Sequence, residues 1–228
     1  MPDQPSPISL ADCQQRLQQP HLAAEERAYW LRQRATLLVA QDNYQDALYS
    51  YSRALELTPD DPMLLYQWGV VLHQLGSHDE AIAAYDRARE HGMIPTAQFW
   101  IDRGNTLARG LKRYRDALVS YDTALTLEPD NASGLSGQGF CLGMLGRTAQ
   151  GLVSCDRALT LDPRLPEGWN SRGLVFYRAK RYSEALAQFD RALELQPNAD
   201  RIWHIEAWCW CSCSVRRRRS RVLQPPSD

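Results

Sequence analysis

The residues of this sequence that could take part in chemistry are few and scattered. Paired carboxylates such as Asp60-Asp61 lie at expected helix starts, where negative charge complements the helix dipole. The sequence contains no glycine-rich phosphate loop and no HExxH, GxSxG or CxxC motif. We therefore predict no catalytic residue, no cofactor and no metal site, and hence a protein that is not an enzyme. The five histidines do not have the spacing of metal ligands: they are His21, His73, His78, His91 and His204.

Two clusters near the C-terminus come closest to a site. Cys209, Cys211 and Cys213 form a CxCxC sequence, and five arginines follow at 216–219 and 221. A soft metal ion at the cysteines would need a second ligand cluster, and an arginine run is usually a solvated tail. We keep metal binding by the cysteines and nucleic-acid binding by the arginines as minor alternatives. The other three cysteines are scattered, which favours reduced thiols over a disulfide framework.

Composition excludes several classes of function. The chain has 228 residues, with 26 Lys and Arg against 27 Asp and Glu, so its formal net charge is −1. Such a chain has no global attraction to nucleic acid or to an anionic membrane. No apolar run approaches the roughly 18–20 residues of a membrane span, and the first residues lack the features of a secretory signal. We expect a cytoplasmic protein that binds neither membrane nor nucleic acid.

A repeat of about 34 residues organises the elements that would position any site. Small and apolar residues recur at i, i+3, i+4 and i+7, which predicts amphipathic helices, and a proline follows the second helix of each repeat. No segment alternates with a period of two, so we predict an all-α fold. An alanine recurs at spacings of 34, 36, 34 and 34 residues, namely Ala54, Ala88, Ala124, Ala158 and Ala192. We place the two extra residues of the spacing of 36 near the start of the third repeat.

The repeat resembles the tetratricopeptide repeat, whose pattern of bulky, small and aromatic positions it follows over about residues 28–197. The resemblance implies a right-handed α-solenoid of stacked helix-turn-helix hairpins, of bacterial type. We expect glycines such as Gly69, Gly104, Gly139 and Gly173 to allow close approach of the paired helix. The third repeat carries the full pattern: Trp100, Gly104, Leu107, Tyr114, Ala117, Tyr121, Ala124 and Pro129.

The fourth repeat departs most from the pattern. Gly151 stands where the other repeats have alanine, and Cys155 stands where they have an aromatic residue. Glycine in a helix interior costs about 1 kcal/mol relative to alanine. Two interpretations remain open, namely close contact between helices and a hinge that lets the solenoid flex. Six of the 13 glycines lie in this repeat: Gly134, Gly137, Gly139, Gly143, Gly146 and Gly151.

We divide the chain into four parts. A flexible leader occupies 1–20, with a short helix capped by Ser9 and Asp12 within it. The repeat domain occupies 21–197, followed by a partial sixth repeat or capping helix at 199–213 and a disordered Arg-rich tail at 214–228. The repeat pattern ends at about Glu206, and a shifted reading frame would restore it. We therefore hypothesise that the residues from about Glu206 are a frameshifted remnant of a longer repeat array. The alternative is a genuine but divergent capping helix. The predicted repeats are about 28–61, 62–95, 96–130, 131–164 and 165–198.

The resemblance also implies where a partner would bind, because first helices line the concave face in this family. We predict a non-catalytic scaffold or adaptor that holds a peptide segment of a partner protein in this groove. The clamp that binds chaperone tails in one subset of the family is not matched at Val70 and Ile101. The alternative is a truncated regulatory or targeting module of a larger protein, possibly an enzyme. The groove positions are Arg32, Tyr66, Val70, His73, Ile101, Asn105, Arg109, Phe140, Met144, Asn170, Leu174, Tyr177 and Arg178.

Overall fold

The computed structural model describes residues 8–196, which contain α-helices joined by short turns and no β-strand. This confirms the all-α fold of helical hairpins. The chain forms two compact units, one ending at Pro95 and one beginning at Thr96. The helices are α1 (Leu10–Leu17), α2 (Ala24–Val39), α3 (Tyr44–Leu57), α4 (Pro62–Gln74), α5 (His78–Glu90), α6 (Ala97–Asn105), α7 (Tyr114–Leu127), α8 (Ala132–Met144), α9 (Thr148–Leu161), α10 (Pro166–Arg178) and α11 (Tyr182–Leu195), with a π-helical turn at Thr106–Gly110.

Helix α1 lies inside the segment that we expected to be a flexible leader. The Ser9 amide donates to Asp12 Oδ2 at 2.8 Å, and the Asp12 amide donates to Ser9 Oγ at 3.2 Å, which forms the capping box. Arg27 of α2 donates to the carbonyl of Leu17 at 3.2 Å, and Leu10 and Leu17 pack on the core of the first unit. The predicted short helix is thus present at Leu10–Leu17, where the cap and these contacts hold it on the first hairpin.

Aromatic residues of second helices fill the space that glycines of first helices leave. A Cβ atom placed on Gly69 would lie 2.8 Å from Cε1 of Tyr85. In the second unit, a Cβ on Gly104 would lie 2.9 Å from Cε1 of Tyr121. Contacts this short do not occur between real Cβ atoms and their neighbours, so a larger residue would push the paired helices apart. The predicted role of these glycines is confirmed.

The third hairpin turns differently from the others. In the second hairpin the amide of Ser77 donates to the carbonyl of Leu72, five residues earlier, at 2.9 Å, and the first, fourth and fifth hairpins repeat this spacing. In the third hairpin the amide of Arg113 donates to the carbonyl of Leu107, six residues earlier, at 2.8 Å. The π-helical turn at Thr106–Gly110 accommodates the additional residue.

This turn corrects where one of the two extra residues of the third repeat lies. Gly104 and Ala117 are 13 residues apart, whereas the equivalent Gly69 and Ala81 are 12 apart. One extra residue therefore lies at the end of the first helix rather than before it. The turn residue with positive φ is Lys112 (φ 55°) and not Gly110, which belongs to the π-helical turn.

Three hairpins place a residue other than glycine in the left-handed region at the turn, as Lys180 does with φ 61°. This conformation costs an L-residue roughly 1–2 kcal/mol, while glycine loses about 0.4–1 kcal/mol more entropy on folding than alanine. We expect Lys180→Gly to raise the free energy of unfolding by about 0.5–1 kcal/mol, measured by thermal unfolding. The control Lys180→Ala keeps the strained left-handed backbone and should leave the free energy of unfolding unchanged. Equal thermal midpoints for the two variants would show that the positive φ does not destabilise the turn.

The four glycines within α8 contact three neighbouring helices. A Cβ on Gly137 would overlap the ring of Tyr121 on α7, and a Cβ on Gly143 would lie 2.5 Å from Cγ2 of Val175 on α10. A Cβ on Gly139 would lie 2.5 Å from Sγ of Cys155 on α9. Because each neighbour occupies the space of the missing side chain, the structure favours close helix contact over a hinge.

Hydrogen exchange tests this interpretation directly. We expect the amides of 132–145 to be protected as strongly as those of 168–179 in the next first helix, because α8 is packed on three sides. The measurement is native-state exchange followed by mass spectrometry. Clearly faster exchange across 132–145 than across 168–179 would restore the hinge hypothesis.

Candidate peptide-binding surface

The predicted groove residues lie on first helices in both units, each of which is described by itself. In the first unit Arg32 lies on α2, and Tyr66, Val70 and His73 lie on α4. In the second unit the residues lie on α6 with its π-helical turn, on α8 and on α10. Spacings of four and seven or eight residues place the members of one helix on one face. The second-unit residues are Ile101, Asn105, Arg109, Phe140, Met144, Asn170, Leu174, Tyr177 and Arg178.

Three of these predicted residues are buried. Ile101 is 2% exposed, Asn170 is 4% exposed and Phe140 is 7% exposed. Side chains this buried offer a partner little surface. The accessible part of the predicted groove is therefore smaller than expected from the sequence, because helices adjacent in space cover positions that a helical period alone places at the surface.

Asn105 has a partner within its own hairpin. Its Oδ1 atom accepts a hydrogen bond from the hydroxyl of Tyr121 at 2.8 Å. Burial raises the pKa of the Tyr121 phenol, so the hydroxyl stays protonated and donates. Part of the hydrogen-bonding capacity of Asn105 is thus used in joining α6 to α7, which the sequence analysis missed because the two residues are 16 positions apart.

Arg109, Phe140 and Tyr114 form a cluster across three elements. The guanidinium of Arg109, on the π-helical turn, lies 5.9 Å from the centre of the Phe140 ring on α8. The Tyr114 ring of α7 contacts the Phe140 ring edge to face, with the ring centroids 5.8 Å apart. Burial raises the pKa of Tyr114, and the positive charge of Arg178 partly opposes that shift. Tyr114, which we had regarded only as part of the repeat pattern, therefore belongs to this surface.

Arg178 extends the surface from α10. Its Nη2 atom donates to the main-chain carbonyl of Met144, at the end of α8, at 3.5 Å, and the side chain is exposed. The neighbouring Tyr177 packs against Tyr182 with ring centroids 5.6 Å apart. Two guanidinium groups thus lie at the end of α8. Arg109 of the preceding hairpin lies near Phe140, and Arg178 of the following hairpin lies at Met144.

The first-unit residues make mainly ring contacts. Arg32 lies 5.8 Å from the centre of the Tyr29 ring, and Tyr66 lies 6.0 Å from the Tyr85 ring. The His73 and His78 rings lie 5.2 Å apart across the turn of the second hairpin. These contacts orient aromatic and basic side chains on the first helices α2 and α4.

The cysteine, histidine and carboxylate side chains of the described residues are not grouped as a metal centre. In residues 8–196 no group of three or more His, Cys, Asp or Glu side chains could hold a metal ion. Cys141 and Cys155 are buried, and burial raises the pKa of each thiol to about 12, so both remain protonated near neutral pH. The CxCxC sequence, the arginine run and the proposed frameshift lie outside the described residues. No described helix is long and apolar enough to cross a membrane.

Comparison with known proteins identifies the family. Two tetratricopeptide repeat models match the chain, one over residues 32–96 and one over residues 166–199. The chain belongs to the tetratricopeptide repeat proteins. A curated relative, the cell division cycle protein 16 homolog of Homo sapiens, is 33% identical over 103 residues, and the Mus musculus homolog is 32% identical over 103 residues. Each match covers 42% of this chain but only 17% of the relative.

Solved structures show the same fold. The tetratricopeptide repeat protein YrrB aligns with a TM-score of 0.60 and 21% identity, over 87% of this chain and 98% of that chain. MamA from Desulfovibrio magneticus RS-1 aligns with a TM-score of 0.63 and 21% identity, over 78% of this chain and 99% of that one. At these identities the likeness concerns the fold.

Proposed function

We propose that this protein is a non-catalytic interaction scaffold of the cytoplasm whose first helices bind a peptide segment of a partner protein. Tetratricopeptide repeats build extended concave surfaces that serve in protein–protein interaction. One observation carries the proposal: in the second unit, consecutive first helices present Arg109, Met144, Leu174, Tyr177 and Arg178, all at least partly exposed, along one series of helix faces. YrrB, which shares the fold, is described as having an unusual peptide-binding site.

The chemistry of these side chains suits a peptide. Apolar atoms of Met144 and Leu174 offer contact area, while the guanidinium groups of Arg109 and Arg178 can donate hydrogen bonds to carboxylates or to exposed carbonyls. Such a surface recognises a segment by the fixed spacing of its side chains and requires no reactive group.

Affinity capture with the full chain tests this function. We expect Met144→Glu to lose partners that the wild-type chain retains from the source cell, because it places a carboxylate in the surface. The matched control is Val153→Glu, which makes the same kind of change at a 69% exposed site on second helix α9 and should keep those partners. Identical partner sets for wild type and Met144→Glu would contradict the proposal.

A second candidate is a regulatory or targeting module of a larger polypeptide, possibly an enzyme. The observation that favours it is that the chain spans only 17% of the length of its curated relatives. The repeat pattern also ends near Glu206, within the part that the structure does not describe. Reading the gene in the other two frames tests this, since a continued repeat pattern followed by further coding sequence is expected, and an immediate stop would contradict it.

A further inference from the structure

We propose that the partner segment is internal and acidic, with two carboxylate side chains that flank an apolar residue. The surface concerned consists of Arg109, Met144, Leu174 and Arg178 around the buried ring of Phe140, and we call it the basic groove. The inference rests on the proposed function, and it adds the chemical class of the partner.

Charge is unevenly distributed between the predicted groove positions and the rest of the chain. The chain as a whole carries −1, yet the predicted groove residues include Arg32, Arg109 and Arg178 and no Asp or Glu. The first helices α6 and α10 each carry one carboxylate outside the predicted groove positions, namely Asp102 and Glu167. Asp102 accepts a hydrogen bond from Gln98 at 2.8 Å, and Glu167 lies in the first turn of α10, about 16 Å along the axis from Arg178. The side chains at the predicted groove positions therefore carry only positive charge, which favours an anionic ligand.

Arg178 differs from Arg113, which precedes α7, and from Arg191 of α11 in what it binds. Arg113 and Arg191 each pair with a carboxylate three residues further along the chain, at 2.7 and 2.6 Å. Arg178 instead donates to the carbonyl of Met144 at a long 3.5 Å and remains exposed. A guanidinium has five donors, and a carboxylate is a stronger acceptor for them than this distant carbonyl. A ligand carboxylate would therefore strengthen the hydrogen bonding of Arg178.

The two arginines approach the same apolar surface from opposite sides. Helix α8 contacts both α6 and α10, and Arg109 lies over Phe140 while Arg178 reaches Met144. Adjacent helix axes lie about 8–10 Å apart, and both long side chains lean toward α8. Two such axis spacings separate α6 from α10 by roughly 16–20 Å, and the two guanidinium groups lie closer together than this because both lean toward α8. Carboxylates three to four residues apart in an extended segment, about 10–13 Å, can reach both. One chain terminus offers a single carboxylate, so two separated guanidinium groups favour internal acidic side chains.

Binding of labelled peptides to the full chain tests the inference. The probe is an acetylated and amidated peptide with two Glu residues four positions apart and a Leu midway between them, followed by fluorescence anisotropy. We expect it to bind at least about tenfold more tightly than the same peptide with Lys in place of Glu, and to weaken as NaCl rises from about 50 to about 500 mM. Arg109→Glu and Arg178→Glu should each weaken binding about tenfold or more.

The matched control is Arg115→Glu, which reverses an exposed arginine on second helix α7 and should leave the affinity unchanged. Circular dichroism and the thermal midpoint verify that each variant is folded. An affinity that Arg178→Glu leaves unchanged, or a preference for a free C-terminal carboxylate over the capped peptide, would overturn the inference.

Two further outcomes of the peptide-binding and affinity-capture experiments distinguish this inference from the proposed function. If capped basic or apolar peptides bind instead, and Met144→Glu abolishes that binding, the proposed function stands and the acidic class of partner is wrong. If no capped peptide of any composition binds and affinity capture is unaffected by Met144→Glu, both are wrong.

Discussion

Replacing Gly151 by alanine is expected to destabilise the protein, although alanine is the residue of the other four hairpins at this position: Ala47, Ala81, Ala117 and Ala185. A Cβ on Gly151 would lie 2.8 Å from the carbonyl oxygen of Gly139 and 3.0 Å from the amide nitrogen of Gly143. Both atoms belong to the backbone of α8, which cannot rotate away as a side chain can. The substitution therefore has to separate α8 from α9.

The reason for this close approach lies one turn further along α9. In the second, third and fifth hairpins the glycine of the first helix faces an aromatic ring, as Gly69 faces Tyr85. In the fourth hairpin Gly139 faces the smaller Sγ of Cys155 and the carbonyl oxygen of Gly151. Without a ring between the helices the backbones meet directly, so glycine is needed on both.

Overpacking of this kind costs roughly 1–3 kcal/mol, and the higher helix propensity of alanine returns up to about 1 kcal/mol. We expect Gly151→Ala to lower the free energy of unfolding by about 1–2 kcal/mol, which corresponds to a fall of about 2–8 °C in the thermal midpoint. Thermal unfolding followed by circular dichroism measures it.

The matched control is Gly134→Ala in α8. Its Cβ would lie 3.2 Å from Cδ2 of Leu125, the end of a flexible side chain that can move. We expect this variant to be neutral or more stable by up to about 1 kcal/mol. A stabilising effect of Gly151→Ala, as the repeat pattern alone suggests, would show that the two backbones are not in contact.

Tyr121→Ala is expected to produce the largest loss of stability. The ring is fully buried and lies against Gly104 of α6 and Gly137 of α8, so it fills the space between two first helices. Truncation of a buried aromatic side chain to alanine costs roughly 3–5 kcal/mol. We expect a loss in that range in chemical denaturation, with a thermal midpoint lower by about 6–20 °C.

The variant Tyr121→Phe separates the ring from its hydroxyl. Phe189 occupies the equivalent position in the fifth hairpin, so the shape is accepted there, but the substitution removes the donor to Asn105 Oδ1. A lost hydrogen bond costs about 0.5–1.5 kcal/mol. A loss for Tyr121→Phe as large as that for Tyr121→Ala would contradict the view that the ring, rather than the hydroxyl, joins the helices.

The predicted groove positions show where sequence reasoning succeeded and where it could not. The helical period placed Arg109, Met144 and Arg178 on first helices, and the structure has all three at least partly exposed there. The same period could not reveal that Ile101 and Asn170 are buried, nor that Asn105 accepts from Tyr121. Burial depends on which helix packs against a face, and that partner lies elsewhere in the chain.

The family, the all-α class and the pairing of helices were determined by the sequence alone, because each depends on periodicity within one repeat and on small residues opposite large ones. The tertiary structure decided what the irregular features mean. It made the glycines of α8 contact points with α7, α9 and α10, converted an extra residue into the π-helical turn that carries Arg109, and folded α1 onto the first hairpin. These outcomes depend on distances between segments far apart in the chain, which no local pattern encodes.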